Sequence, residues 1–168
     1  MFNALESKDF FSIFYFKKIV GEEEFADFTN ALTAYKAHLQ NSANQNEDSI
    51  VANALKPFFT ALGFSADIKH KQKGNSEIDL VLKKDGVVTT IIEAKKPNSI
   101  EMFSPNNPHS KALCEAILYY FRERESGNLS IQSLIITDFY RFYIIKAHNF
   151  EQTFYNNPLL KNLYSNRF

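Results

Sequence analysis

A chain of 168 residues, 45% of them hydrophobic, is long enough for one domain with its own core and too apolar to be disordered. Nineteen basic residues against nineteen acidic ones exclude a chain-wide cationic surface, so any positive charge for nucleic acid must be local or come from another part of a larger protein. Cys114, the single cysteine, excludes an internal disulfide and a cysteine-rich zinc site, and fits a reducing compartment.

No apolar run reaches the length of a membrane span, and the N-terminus lacks a basic-then-apolar signal pattern. A cytoplasmic protein with no membrane partner is expected. Repeats and low-complexity tracts are absent. Seventeen Phe and eight Tyr with no Trp predict an aromatic-heavy core or interface.

In chain order, Met1 to Val20 is rich in aromatics and predicts a short helix that Gly21 ends. Glu22 to Leu39 reads as an amphipathic helix: Phe25, Phe28, Leu32, Tyr35 and Leu39 advance by threes and fours, with acids in the first turn. Gln40 to Asn46 is a polar loop, and Asn46 can cap the helix that Glu47-Asp48 opens. That helix carries Ile50, Val51, Ala54, Leu55, Phe58, Phe59 and Leu62, and Gly63 stops it. Pro57 lies inside the pattern and predicts a kink.

Ser65 to Lys73 predicts a strand ending in His70-Lys71-Gln72-Lys73, before a Gly74-Asn75-Ser76 turn. The basic groups His70, Lys71 and Lys73, with Lys96 further on, serve either as a phosphate-contacting rim or as a lysine-protected strand edge. None of His38, His70, His109 and His148 has a ligand-like spacing to another.

Glu77 to Pro97 predicts the organising hairpin. Ile78, Leu80 and Leu82 alternate with Glu77, Asp79, Val81 and Lys83, the period of a half-buried strand. Val87 to Ala94 has the β-branched content of a central strand, with Val87, Thr89, Ile91, Glu93 and Lys95 on one face. A two-residue Asp85-Gly86 turn would set Asp79 opposite Ile92, on the wrong face to join Glu93 and Lys95. A three-residue Lys84-Asp85-Gly86 turn, with Gly86 left-handed, pairs Lys83 with Val87 and brings Asp79 opposite Ile91.

After a proline-rich loop, Asn98 to Ser110, comes a helix over Lys111 to Glu125 that Gly127-Asn128 ends. Ile131 to Thr137 and Tyr140 to Ala147 predict a second hairpin, followed by short helices over Asn149 to Tyr155 and Pro158 to Tyr164.

Two hard carboxylates and a backbone carbonyl make a partial shell for Mg²⁺, with Mn²⁺ as a substitute, and an adjacent lysine suits phosphodiester hydrolysis. Charged residues recur on any solvated strand face. Here they close an otherwise apolar strand, where desolvation makes chance placement costly. The pattern resembles the PD-(D/E)xK nuclease superfamily: Ile78-Asp79 stands where the motif has Pro-Asp, and Glu93-Ala94-Lys95 is the second half. The resemblance implies that Asp79, Glu93 and the carbonyl of Ala94 bind metal and that Lys95 works on the attacking water. It further implies that Glu47, on the preceding helix, joins the metal site, unless it only answers the helix dipole.

Residues 92–97, 111–125 and 134–138 are similar to the N-terminal nuclease domain of type IIG restriction–modification enzymes. Where many related restriction subunits have a glutamine, this chain has Glu115, read here as secondary to the site. The expected fold is α/β with a restriction-endonuclease-like core, a central mixed sheet flanked by helices and an added N-terminal helical segment. A single endonuclease domain then spans 1–168, with a helical segment at 1–45, the nuclease core at 46–147 and C-terminal helices at 148–168.

The expected function is Mg²⁺-dependent cleavage of double-stranded DNA, with recognition delegated to absent methyltransferase and target-recognition domains, where S-adenosylmethionine would also bind. The chain would be a truncated domain or a stand-alone remnant. A catalytically silent module that keeps the fold and binds DNA or a protein is the alternative.

Overall fold

The computed structural model describes residues 21–42, 44–72, 76–104 and 106–167. The expected helix over Met1 to Val20, the Gly74-Asn75 turn and Lys73 fall outside the described residues. The fold is mixed α/β: a five-stranded sheet in the order β1 (Ser65–Lys71), β2 (Glu77–Lys84), β3 (Val87–Ala94), β4 (Ser133–Thr137), β5 (Phe142–Lys146). Neighbours are antiparallel except β3 and β4, which run parallel. A parallel pair needs a crossover, and helix α3 (Lys111–Glu125) supplies it.

Helix α1 (Glu22–Gln40) and helix α2 (residues 47–61) lie on the other face. Two cores result from this layering. Ile91, Val81, Leu134 and Ile136 pack with Ala112, Leu113, Ala116 and Tyr120 of α3. Leu80, Leu82, Ile92 and Ile135 pack with Tyr35, Leu39, Val51, Leu55 and Phe59 of α1 and α2.

The expected hairpin forms, but not through the expected turn. Lys84 pairs with Val87, so the loop is the two residues Asp85 and Gly86, at φ 52° and 80°. Two successive left-handed residues make a type I′ turn, whose twist matches the strands it joins. The face is then corrected by a β-bulge: Lys83 pairs with Val88 but Leu82 with Thr90, leaving Thr89 as the extra residue. The Thr89 hydroxyl donates to the Leu82 carbonyl at 3.2 Å. Leu80 pairs with Ile92, and one step on Asp79 faces Glu93 rather than the expected Ile91. The bulge also moves Val87 off the predicted face: Val88, not Val87, packs with Ile91.

Other expectations change in detail. Phe25 and Phe28 are exposed, and burial on α1 begins at Ala31. Helix α2 continues through Pro57 after a π-helical turn, Val51–Leu55, in which the Lys56 N–H donates to the Val51 carbonyl. That wider turn accommodates the proline ring and its missing N–H. In β2, Ile78 packs with the α3-side core although Leu80 and Leu82 pack on the other side, so the predicted alternation breaks at Asp79. The C-terminal segment, helix α4 (residues 147–155) and helix α5 (Pro158–Ser165), packs on α3 through Tyr120–Phe150, Phe121–Tyr155 and Phe121–Tyr164 ring contacts.

A carboxylate cluster around one buried lysine

Four elements deliver the site. β2 brings Asp79 and β3 brings Glu93, both near the open end of the hairpin. Lys95 follows β3 directly and is held by its own N–H, which donates to Thr137 of β4 at 2.9 Å. Helix α2 brings Glu47 in its first turn, and Asn46 caps that turn by accepting from the Ser49 N–H at 2.8 Å. Helix α3 brings Glu115 from the opposite layer, capped by Ser110, whose hydroxyl accepts from the Leu113 N–H. Such caps stabilise a helix by about 1 kcal/mol each. Here they also fix two glutamates on either side of a strand end.

The Lys95 ammonium is the centre of the arrangement. It donates to Glu93 Oε1, lies 3.0 Å from Glu115 Oε2 and 3.8 Å from Glu47 Oε1, and is only 4% exposed. Glu47 Oε2 accepts from the Lys96 N–H at 2.8 Å, and Asp79 Oδ2 from the Ala94 N–H at 2.8 Å. Glu93 is 1% exposed, and its Oε2 has no hydrogen-bond partner.

The electrostatics follow from crowding. Burial pushes Asp79 up to about 6, against the pull of the Ala94 N–H and Lys95. Burial and then the Asp79 charge hold Glu93 well above the usual carboxylate range. Burial alone would raise Glu115, but the adjoining Glu93 and Lys95 outweigh it and leave it below its ordinary value. Desolvation would depress Lys95; Glu93 and Glu115 overcome it and hold the ammonium above its ordinary value. Four carboxylates around one buried ammonium leave the site short of positive charge.

The donors are hard oxygens, the kind that Mg²⁺ and Mn²⁺ take, and Glu93 Oε2 is buried with no hydrogen-bond partner among the described residues. Among the described residues, no three acidic, histidine or cysteine side chains form a close cation cage.

The sequence reading and the structure agree on bringing Asp79, Glu93, Lys95 and Glu47 together. At Ala94 it is the N–H that touches Asp79. Glu115 needs correction: it touches Lys95 directly and is part of the cluster, not secondary to it. The signal was present, since 112, 115, 116 and 119 share one helix face and Ala112, Ala116 and Tyr119 are buried. Among the expected DNA contacts, His70 instead lies 3.7 Å from Glu123 Oε1, while Lys71 and the side chain of Lys96 are exposed. The Thr137-Asp138 pair builds the β4–β5 turn: Thr137 donates to the Arg141 carbonyl and Asp138 accepts from the Tyr140 and Arg141 N–H groups.

No helix among the described residues is long and apolar enough to cross a membrane. No curated protein and no solved structure matches the chain. Residues 5–167 match the family described as a domain of unknown function (DUF7149), and the chain belongs to that family.

Proposed function

We propose that this domain is a metal-dependent DNA endonuclease with a restriction-endonuclease-like core, similar to the nuclease domain of type IIG restriction–modification enzymes. The observation that carries this reading is the convergence of Asp79, Glu93, Lys95, Glu47 and Glu115 at one strand end, with a buried carboxylate oxygen left unpaired. Asp79 and Glu93 would hold Mg²⁺ or Mn²⁺, with Glu47 and Glu115 flanking them. The bound cation supplies charge neutralisation at the phosphate and activation of a water.

The chain's own residues do the rest. Lys95 stays protonated throughout the working pH range, so it acts as a donor and not as a general base. Its ammonium orients the attacking water and stabilises the negative charge that grows on the phosphate oxygens as the P–O bond breaks. Glu93 and Glu115 aim that ammonium from two sides. The Ala94 N–H and the Lys96 N–H fix Asp79 and Glu47 in place, so neither has to reorganise when substrate arrives. Sequence recognition, S-adenosylmethionine and methyl transfer belong on this reading to other domains or subunits in a reducing cytoplasm.

Purified protein incubated with supercoiled plasmid tests the reading. Nicked or linear product with Mg²⁺ or Mn²⁺, none with chelator and none from Asp79→Asn supports it. Metal and duplex binding without cleavage, in the isolated chain and in its parent context alike, would make the domain a silent binding module.

A further inference from the structure

Lys69 lies in the middle of β1 with φ 51°, a left-handed conformation that a Cβ-bearing residue adopts at a cost. The flanking pairs, Ile68 with Leu80 and His70 with Ile78, make it face Asp79 across the strands. At the same point β2 changes the side on which it packs. Strain of this kind persists where surrounding structure enforces it, and it concentrates at functional sites.

The side chain is equally placed. Lys69, Asp79, Asp48, Val51 and Ile68 line one shallow recess that opens to solvent. Its ammonium sits 2.6 Å from Asp48 Oδ2, with both side chains about half exposed. An exposed pair of this kind is weak and exchanges readily. Asp48 adjoins Glu47, so the pair stands at the mouth of the carboxylate cluster. The floor of that mouth is acidic and the whole chain has no net charge. A polyanion approaching it needs a cation at the rim.

We propose that Lys69 is the substrate-positioning cation of this site: it leaves Asp48 to bind a backbone phosphate next to the one that is cleaved. Resting on the nuclease reading, this assigns a phosphate subsite to the recess beside Asp79. Asp48 acts as a stand-in for that phosphate, holding the ammonium extended until the duplex displaces it. The left-handed turn at Lys69 is what sends its side chain into the recess that Asp79 lines.

The test is binding of a short fluorescent duplex in Ca²⁺, at several salt concentrations. Lys69→Ala and Lys69→Gly should each weaken binding about five- to tenfold at low salt and reduce the salt slope by about one contact. Lys69→Gly also relieves the left-handed backbone, and melting curves of both variants separate a loss of binding from a loss of stability. Asp48→Asn should tighten binding about two- to fivefold, because it releases the lysine and removes a repelling carboxylate. A purely structural ion pair would instead give both partners' variants a lower melting temperature and unchanged or weaker binding. Parent-like binding by the Lys69 variants, or weaker binding by Asp48→Asn, overturns the subsite while leaving the nuclease reading intact. A parent protein that binds no duplex in its full context overturns both.

Discussion

Two glutamates are buried on the face of the sheet that α3 covers, and they live in opposite surroundings. Glu123 is met by donors: Gln72 reaches Oε1 at 3.0 Å, Asn128 reaches Oε2 at 2.8 Å, and His70 stands near by. Glu93 is met by other carboxylates and a lysine it shares with them, and one of its oxygens is unpaired. The first arrangement ties β1 to the end of α3. The second raises the energy of the protein on its own and is relieved only by protons or a cation. A buried charge among donors is a fastening; a buried charge among like charges is a receptor.

The largest effect expected from this contrast is at Lys95. Lys95→Ala should lower cleavage about a hundred- to a thousandfold, the scale for a group that stabilises developing charge. Without metal it also leaves Glu93 and Glu115 uncompensated, which destabilises by about 3–5 kcal/mol. Melting curves in chelator and in Mg²⁺ separate the effects: the metal should restore stability and leave the rate low. Retained cleavage with lost stability would reduce Lys95 to a structural counter-ion.

The same substitution at the two glutamates should then act with opposite signs. Glu93→Gln removes the strained charge and supplies an N–H that can donate to Glu115, so the metal-free protein should melt higher at pH 8. The gain in melting temperature that Mn²⁺ gives the parent should disappear. Glu123→Gln turns an amide N–H toward Gln72 or Asn128, both already donors, and should cost about 1–2 kcal/mol. Its Mn²⁺ response should stay intact. Equal losses at both positions would erase the distinction.

Acidity offers a gentler probe. Asp79 and Glu93 hold their protons more tightly folded than unfolded, where carboxyls ionise near about 4. As pH rises from about 4 to Asp79's folded value of about 6, the unfolded chain releases its protons first and the fold loses stability. Melting in chelator should therefore improve as pH falls from neutrality toward 5, more steeply for the parent than for Asp79→Asn. Mg²⁺ should flatten or reverse the trend. A parent and variant with parallel curves would mean that Asp79 carries no such burden.

Much of this was legible in the chain. The β2 and α3 bounds follow directly from alternation and caps, because those signals are local. Asp79, Glu93 and Lys95 were found as a set because their sharing of a face is a condition the chemistry imposes. How the face is shared was not legible: a three-residue turn and a two-residue turn with a bulge give the same parity, and only cross-strand packing chooses between them. Glu115 was undervalued for a related reason. Its distance from Lys95 depends on how α3 lies over β3, where a slip of one turn shifts a side chain by about 5.4 Å. Ala112 and Ala116, both buried, sit on the face that meets the sheet, and no local signal reports that depth. The exposed Phe25 and Phe28 show the converse, a perfect stripe with only half of it covered.

Thr89 gives the hairpin a spare count. With no bulge, the Asp85-Gly86 turn would set Leu82 opposite Thr89 and Asp79 opposite Ile92; holding Thr89 out of the ladder sets Leu82 opposite Thr90 and Asp79 opposite Glu93. Deleting Thr89 would iron the bulge out and leave those pairs as they are, so a codon lost here spares the site. An added residue beside it is the dangerous change. Unless the bulge widens to take it, every pair beyond slips by one, and Asp79 parts from Glu93 while all the side chains of the site are still present.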